Sequence, residues 1–217
     1  MSILRTIVMT AACLGAAGPL MAQSVPDVKL PPSPAGQAAI QVGGTWTKTD
    51  NRPRYEGGKW MVVDYSRPLL RGRKDIFGSG ATYGEAVRDG SPIWRAGANA
   101  TTTLTTQTPI VVGGKALGPG VYNVFVDLKA GEWTLIVNNQ PRQPKYDPND
   151  KVNLYGTYNY DAKFDVARVR MVLDVASASK PPVEQFTIGF VPVSASSVLL
   201  RMEWDHTVAT APIEIGK

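Results

Sequence analysis

Val121-Tyr122-Asn123-Val124-Phe125-Val126-Asp127-Leu128, then Lys129-Ala130-Gly131-Glu132, then Trp133-Thr134-Leu135-Ile136-Val137, decide the fold class. Tyr122, Val124, Val126 and Leu128 recur at every second position, the period of a strand that turns one face inward. The Gly-bearing tetrad reverses the chain. Trp133, Leu135 and Val137 return with the same alternation. Two such runs joined by a short turn form an antiparallel hairpin.

The pattern extends in both directions. In Trp60 to Tyr65, Met61, Val63 and Tyr65 share one face and Trp60 and Val62 the other, which predicts a strand covered on both sides. Thr101 to Thr106 is β-branched and mostly polar, a strand with one wet face. Pro109-Ile110-Val111-Val112 meets Gly113-Gly114, a pair able to take the positive φ angles of a tight hairpin. Downstream, Ala167, Val169, Met171 and Leu173 alternate, as do Phe186, Ile188 and Phe190, and then Val198, Leu200, Met202 and Trp204. A short last strand is expected around Thr207 to Ile213. The reading is all-β: an antiparallel β-sandwich or flattened barrel, in a single domain over 37–217. No stretch after the leader has a helical period, and Tyr83 to Arg88 allows one turn at most.

The N-terminal residues predict an exported protein. Arg5 precedes a mostly apolar run to Leu20, and small Ala22 comes just before polar Gln23, the layout of a signal peptide over 1–22. A spanning helix fits worse, because Thr10, Gly15, Gly18 and Pro19 interrupt the run and a span needs roughly 20 apolar residues. Lipid attachment at Cys13 is a third, weaker reading, since Thr10-Ala11-Ala12-Cys13 lacks the Leu-like residue such sites favour. Cleavage after Ala22 removes the one cysteine, and with it disulfides and thiol catalysis. About 195 residues then remain, enough for one core without staples. Residues 23–36 are Pro-rich and aperiodic, a flexible tether. No transmembrane span is expected beyond the leader. Periplasmic localisation follows from this reading, with an extracellular one as the less favoured alternative.

The formal charge of +5 falls to +4 without Arg5, too little for a nucleic-acid reading. The distribution says more. Arg52, Arg54, Arg67, Arg71, Arg73 and Lys74 crowd one quarter of the chain, where they could draw anionic groups of lipids, glycans or peptides. A solvated strand end explains them equally well. A long connection from Tyr65 to Asn99, rich in Arg, aromatic residues and Gly, stands out on the strand scaffold as the place for a function.

Tyr65-Ser66-Arg67-Pro68, Gly72-Arg73, Ile76-Phe77-Gly78, Tyr83-Gly84, Trp94-Arg95 and Gly97-Ala98-Asn99 occur in this order. Gly118-Pro119-Gly120-Val121-Tyr122, Trp133-Thr134-Leu135-Ile136, Tyr158-Asn159-Tyr160-Asp161 and Asp165-Val166-Ala167-Arg168-Val169 follow. Phe186-Thr187-Ile188 and Leu200-Arg201-Met202-Glu203-Trp204 complete the series. This series resembles the bacterial domain-of-unknown-function 2911 (DUF2911) family, over roughly Ile40 to Ile213. The resemblance implies an exported, compact, mostly β domain, and no catalytic roles. The chain departs from the family pattern in two ways. Glu85 to Ile93 intervenes between Tyr-Gly and Trp-Arg, and Ala100 stands where an acidic residue is common.

Several chemistries find little support. A nucleophilic triad needs a base, and the only histidine, His206, reads as a strand-edge residue. One histidine without cysteine cannot make a zinc site, so no metal or other cofactor is expected. Asp147-Pro148-Asn149-Asp150 with Asp161 and Asp165 lacks calcium-loop spacing and reads as a polar turn. Gly78-Ser79-Gly80 is negligible as a phosphate loop. Asp64, Asp75, Glu85, Asp127 and Glu203 are acid–base candidates by residue type only.

An Arg and aromatic site is easier to motivate. Arg67, Arg73 and Arg95 could fork onto a carboxylate or phosphate. Tyr65 and Trp94 could stack on a sugar or apolar group. Asn99, Tyr158 and Tyr160 complete the candidate ligand-binding set. Several have a structural alternative: Tyr65 and Trp94 in the core, Arg95 on loop carbonyls or Asp64, Arg67 as scaffold, Asn99 at a positive-φ turn. The leading expectation is a non-enzymatic module that recognises a small anion, an anionic or other carbohydrate, or an envelope protein. An enzyme acting on acidic glycans, and a purely structural module, are the alternatives. The sequence leaves oligomeric state open.

Overall fold

The computed structural model describes residues 29–176 and 180–216. The expected signal peptide, Cys13 and tether residues up to 28 lie outside the described residues. The strands are β1 Ala35–Val42, β2 Thr45–Thr49, β3 Arg52–Glu56, β4 Lys59–Ser66, β5 Thr103–Thr106, β6 Ile110–Val112, β7 Lys115–Leu117, β8 Gly120–Lys129, β9 Glu132–Asn138, β10 Asp165–Arg170, β11 Val172–Val175, β12 Val183–Ser194, β13 Ser197–Asp205 and β14 Thr207–Ile215. One short helix, α1, covers Glu85–Arg88, the single turn the sequence allows. β1 begins at Ala35, two residues before the expected start of the domain.

Two antiparallel sheets face each other as a sandwich, and neither closes into a barrel. The first has the order β1-β4-β5-β8-β9-β10. The second has the order β12-β13-β14-β6-β7, with β11 also on β14. β2 and β3 make a separate two-stranded hairpin. The alternating residues read from sequence form the core between the sheets: Met61, Val63, Val124, Val126, Leu135 and Leu200 are all buried. Gly113 and Gly114 turn β6 into β7 with φ of 55° and 75°, the doubly left-handed turn that a residue with a side chain resists.

Three details differ from the sequence reading. β4 is covered on one face only; Trp60 is 44% exposed, because among the described residues no layer packs outside β1 and β4. Conversely, β8 and β9 are covered on both faces. Phe125 and Ile136 pack outward with Ile93 and Leu154 under the 139–164 connection. The run Ala167 to Leu173 is not one strand. Its inward alternation continues, but at Met171 the chain leaves β9 of the first sheet and joins β14 of the second.

The 67–102 crossover is largely interior. Phe77 sits edge-on to Trp133 at 4.6 Å and to Trp94 at 5.6 Å. Trp94 packs against Phe186 at 5.0 Å and stacks on Trp204 at 6.3 Å. The Trp94 backbone exchanges two 2.8 Å hydrogen bonds with Val126, so the crossover extends the first sheet locally. At its start, Leu70 N–H donates to Glu184 O (2.8 Å) and Phe186 N–H donates to Pro68 O (2.9 Å), along the free edge of β12.

Phe77→Ala is expected to cost about 3–5 kcal/mol, because the two sheets and the crossover meet on that ring; chemical denaturation measures it, and a loss below about 1 kcal/mol would contradict this packing.

Candidate functional site

Tyr65 ends the inward face of β4. Its hydroxyl accepts from Ile188 N–H (2.9 Å) and donates to Ile188 O (3.2 Å). β12 is an edge strand, so this hydroxyl satisfies backbone groups that no neighbouring strand reaches. Arg67 follows. Its Nε donates to Phe186 O (3.4 Å) and its Nη2 to Thr187 Oγ1 (3.1 Å). Both side chains hold one sheet to the other, which is the structural alternative for each.

Arg73 leaves a turn closed by its own backbone N–H on Leu70 O. Its guanidinium donates to Leu70 O (2.9 Å) and Leu69 O (2.7 Å), and lies 5.7 Å from the Trp204 ring centroid. Arg95, 9% exposed, donates through Nη1 to Asn99 O (3.0 Å) and through Nη2 to Asp89 Oδ2 (3.3 Å). Gly156 lets this side chain lie flat, since a Cβ there would stand 2.8 Å from Arg95 Nη1. Asn99 turns the chain at φ 59°. Thr102 Oγ1 donates to Ala96 O and fixes the loop from behind.

Arg73, Arg95, Asn99, Trp94 and Trp204 line one open cleft of about 290 Å³. Its floor is indole and its walls are polar. Trp94 is 1% exposed, so it supplies floor rather than a stacking platform, with its indole N–H spent on Gly97 O (3.3 Å). Asp89 also lines the cleft. It sits in the inserted Glu85–Ile93 stretch, which carries no periodic pattern to mark it. The acid–base candidates Asp64, Asp75, Glu85, Asp127 and Glu203 do not line it.

Tyr158 and Tyr160 lie elsewhere, in the 139–164 connection. Tyr158 is half exposed and tilts against Tyr146 at 5.9 Å. Tyr160 donates to Asp165 Oδ2 (2.8 Å) and accepts from Arg168 Nη2 (3.2 Å). Burial, and then the Asp165 carboxylate, push the Tyr160 hydroxyl well above the usual tyrosine range. Around it, Asn123, Asn138 and Gln140 are buried in mutual hydrogen bonds. The Asp147–Asp150 turn closes on itself: backbone N–H groups of Asn153 and Val152 hold the Asp150 carboxyl below its ordinary range. Among the described residues no three His, Cys, Asp or Glu side chains gather as a metal-ligand set. His206, in the turn from β13 to β14, is partly buried, with Nε2 3.7 Å from Asp205 Oδ1.

The model of a family described as a protein of unknown function, DUF2911, matches residues 49–213. The chain belongs to the DUF2911 family. No curated protein and no solved structure matches it. The DUF2911 match contains the whole crossover and every lining residue of the Arg95 cleft except Ser33, whereas β1 and Trp46 precede it. No helix among the described residues is long and apolar enough to cross a membrane.

Tyr65→Phe is expected to cost about 1–3 kcal/mol, since it strands a buried N–H and C=O of Ile188; equilibrium unfolding measures this, and an unchanged stability would remove the stitching role. Tyr160 makes a second prediction. Its folded ionisation lies above the value of about 10 found in unfolded chains, so its contribution is complete below that pH and is lost as pH rises beyond it. Tyr83, raised by burial, acts in the same direction. Tyr160→Phe should lower the melting temperature at pH 7 and flatten its decline between about pH 10 and 11.5; an equally steep decline would show that Tyr160 does not titrate as described.

Proposed function

We propose that the protein is an exported, non-enzymatic binding module whose Arg73–Arg95 cleft takes a small anionic group, a carboxylate such as that of an acidic sugar or a phosphate. One observation carries this reading: two guanidinium groups from distant turns line a single polar cleft above an indole floor, and among the described residues only one of them pairs with a carboxylate. A forked guanidinium held by neighbouring carbonyls is positioned before a ligand arrives, so little ordering entropy is lost on binding. Asp89 is 69% exposed at its side chain, and an incoming anion can displace it from Arg95. In the free protein Asp89 keeps Arg95 paired. The salt bridge therefore competes with the ligand.

Asp89 and Asn99 both take left-handed φ angles, 53° and 59°, which Asp and Asn accept about equally. Exchanging them for each other's residue type alters cleft charge without straining the backbone. Glucuronate, acetate and phosphate titrated into the purified protein, followed by calorimetry or amide chemical shifts, test the reading. Asp89→Asn should tighten binding about fivefold and Asn99→Asp should weaken it by a similar factor, with affinity falling as salt rises. The absence of binding by every anion to Asp89→Asn, or equal binding by both variants, would refute it.

A further inference from the structure

A second concavity lies at the other end of the sandwich, about 20–25 Å away along β1. It is a groove of about 580 Å³, within the range of small-molecule sites. Ile40 and Val42 of β1 form one wall, and Pro192 and Val198 of the second sheet form the other. Trp46 and Tyr55 of the β2–β3 hairpin close it from above, as a cross-strand pair with ring centroids 5.2 Å apart. The inward side chains Val42 and Val198 are buried at the base of the groove, and the residue 65–70 stitching lies at the far end.

The hairpin lacks the burial that normally holds such an element. It pairs with neither main sheet, and a two-stranded hairpin alone is marginal in water. Tyr55 anchors it, its hydroxyl accepting from Gly44 N–H (2.9 Å). Trp46 is 70% exposed although it lines an apolar groove. An indole so placed forfeits burial that an apolar ligand would restore.

Register places charge at the rim. Lys48 stands two residues from Trp46, hence on the same hairpin face. Lys59 is the cross-strand partner of Val42 and shares its face. Two carboxylates alternate away, Glu56 paired with Thr45 on the opposite hairpin face and Glu214 beside inward Ile213, while Asp50 sits in the hairpin turn beyond Lys48. The groove is therefore lined mainly by apolar side chains, with Gln41 and Ser194 among them, and register places Lys48 and Lys59 beside its lining residues.

We propose that this groove is a binding site for a single-chain anionic amphiphile, a fatty acid or lysolipid, with the aliphatic chain between Ile40, Val42, Pro192, Val198 and Trp46 and the head group at Lys48 and Lys59. The site goes beyond the anion cleft and is independent of it. Butyrate carries the same head group without the chain, so it separates the two.

The test uses the purified protein, dodecanoate below its micellar concentration, butyrate, and 12-bromododecanoate as a quencher. Trp94, Trp133 and Trp204 are at most 3% exposed, and Trp46 alone of the tryptophans lines the groove. Expected results are saturable 1:1 binding of dodecanoate by calorimetry, with quenching of tryptophan emission by the brominated chain. Trp46→Phe should abolish most of the quenching while retaining binding. Ala195→Trp, at an exposed turn position on the groove, should weaken dodecanoate by at least about tenfold with the circular dichroism spectrum unchanged. Lys48→Glu with Lys59→Glu should weaken it about threefold or more, and Asn99→Asp should leave it untouched. Equal affinity for butyrate and dodecanoate would overturn the proposal. So would binding only to phosphatidylglycerol vesicles and never to the monomer, which would make this face a membrane-docking surface. No dodecanoate binding, with self-association that Trp46→Ala abolishes in sedimentation, would also overturn it and assign the groove to a second copy of the chain.

Discussion

The packing of Phe77 against Trp94 and Trp133, inside a sandwich whose sheets contribute Trp133, Phe186 and Trp204, is the constraint on which the rest depends. A connection of this length on the surface would be free to wander. Here its aromatic residues have no apolar environment except the space between the sheets, and once they enter it the polar residues between them have few places left. Arg73 and Arg95 are held where they are because their neighbours are core. Edge-to-face geometry between Phe77 and both Trp94 and Trp133 adds direction to this burial, since one ring's positive edge meets the other's face.

The same constraint accounts for the mixture of roles among the arginines. Arg67 leaves β4 at the sheet edge and meets Thr187 and Phe186 O of the facing sheet. Arg73 and Arg95 come from turns above the buried rings and face the cleft. The buried polar network under the 139–164 connection follows a different logic. There Asn123, Asn138, Gln140 and Asp165 satisfy one another in a space too polar for aliphatic side chains, and Tyr160 contributes its ring to Phe125 and its hydroxyl to Asp165.

Much of the architecture was legible because the core is lined at period two. Val124, Val126, Leu135, Leu200 and Met202 announce their strands without help from the fold. The break at Met171 was illegible for the same reason: a strand that changes sheets while keeping its inward face changes nothing in its alternation. The β2–β3 hairpin escaped notice because Thr45 to Thr49 is polar on one face and offers only Trp46 on the other. In the candidate site, the positions of Arg95 and Asn99 could be read as a turn with a buried cation. The partners could not. Thr187 lies 120 residues from Arg67 along the chain, and Asp89 sits in a stretch with no pattern at all. The groove draws on 40–55 and 192–198, segments that only the sandwich brings together.

The change of sheets at Met171 has a mechanical meaning. The chain itself joins the two sheets there, so that side of the molecule behaves like the spine of a book, with β1 and β12 along its fore-edge. One corner of that fore-edge is clasped by Tyr65, Arg67 and the backbone of Pro68 and Leu70. At the other corner the described residues form no clasp, and the Trp46 hairpin rests across it. Leaves bound on one side and fastened at one corner are least restrained at the remaining corner, which is where the Trp46 groove lies.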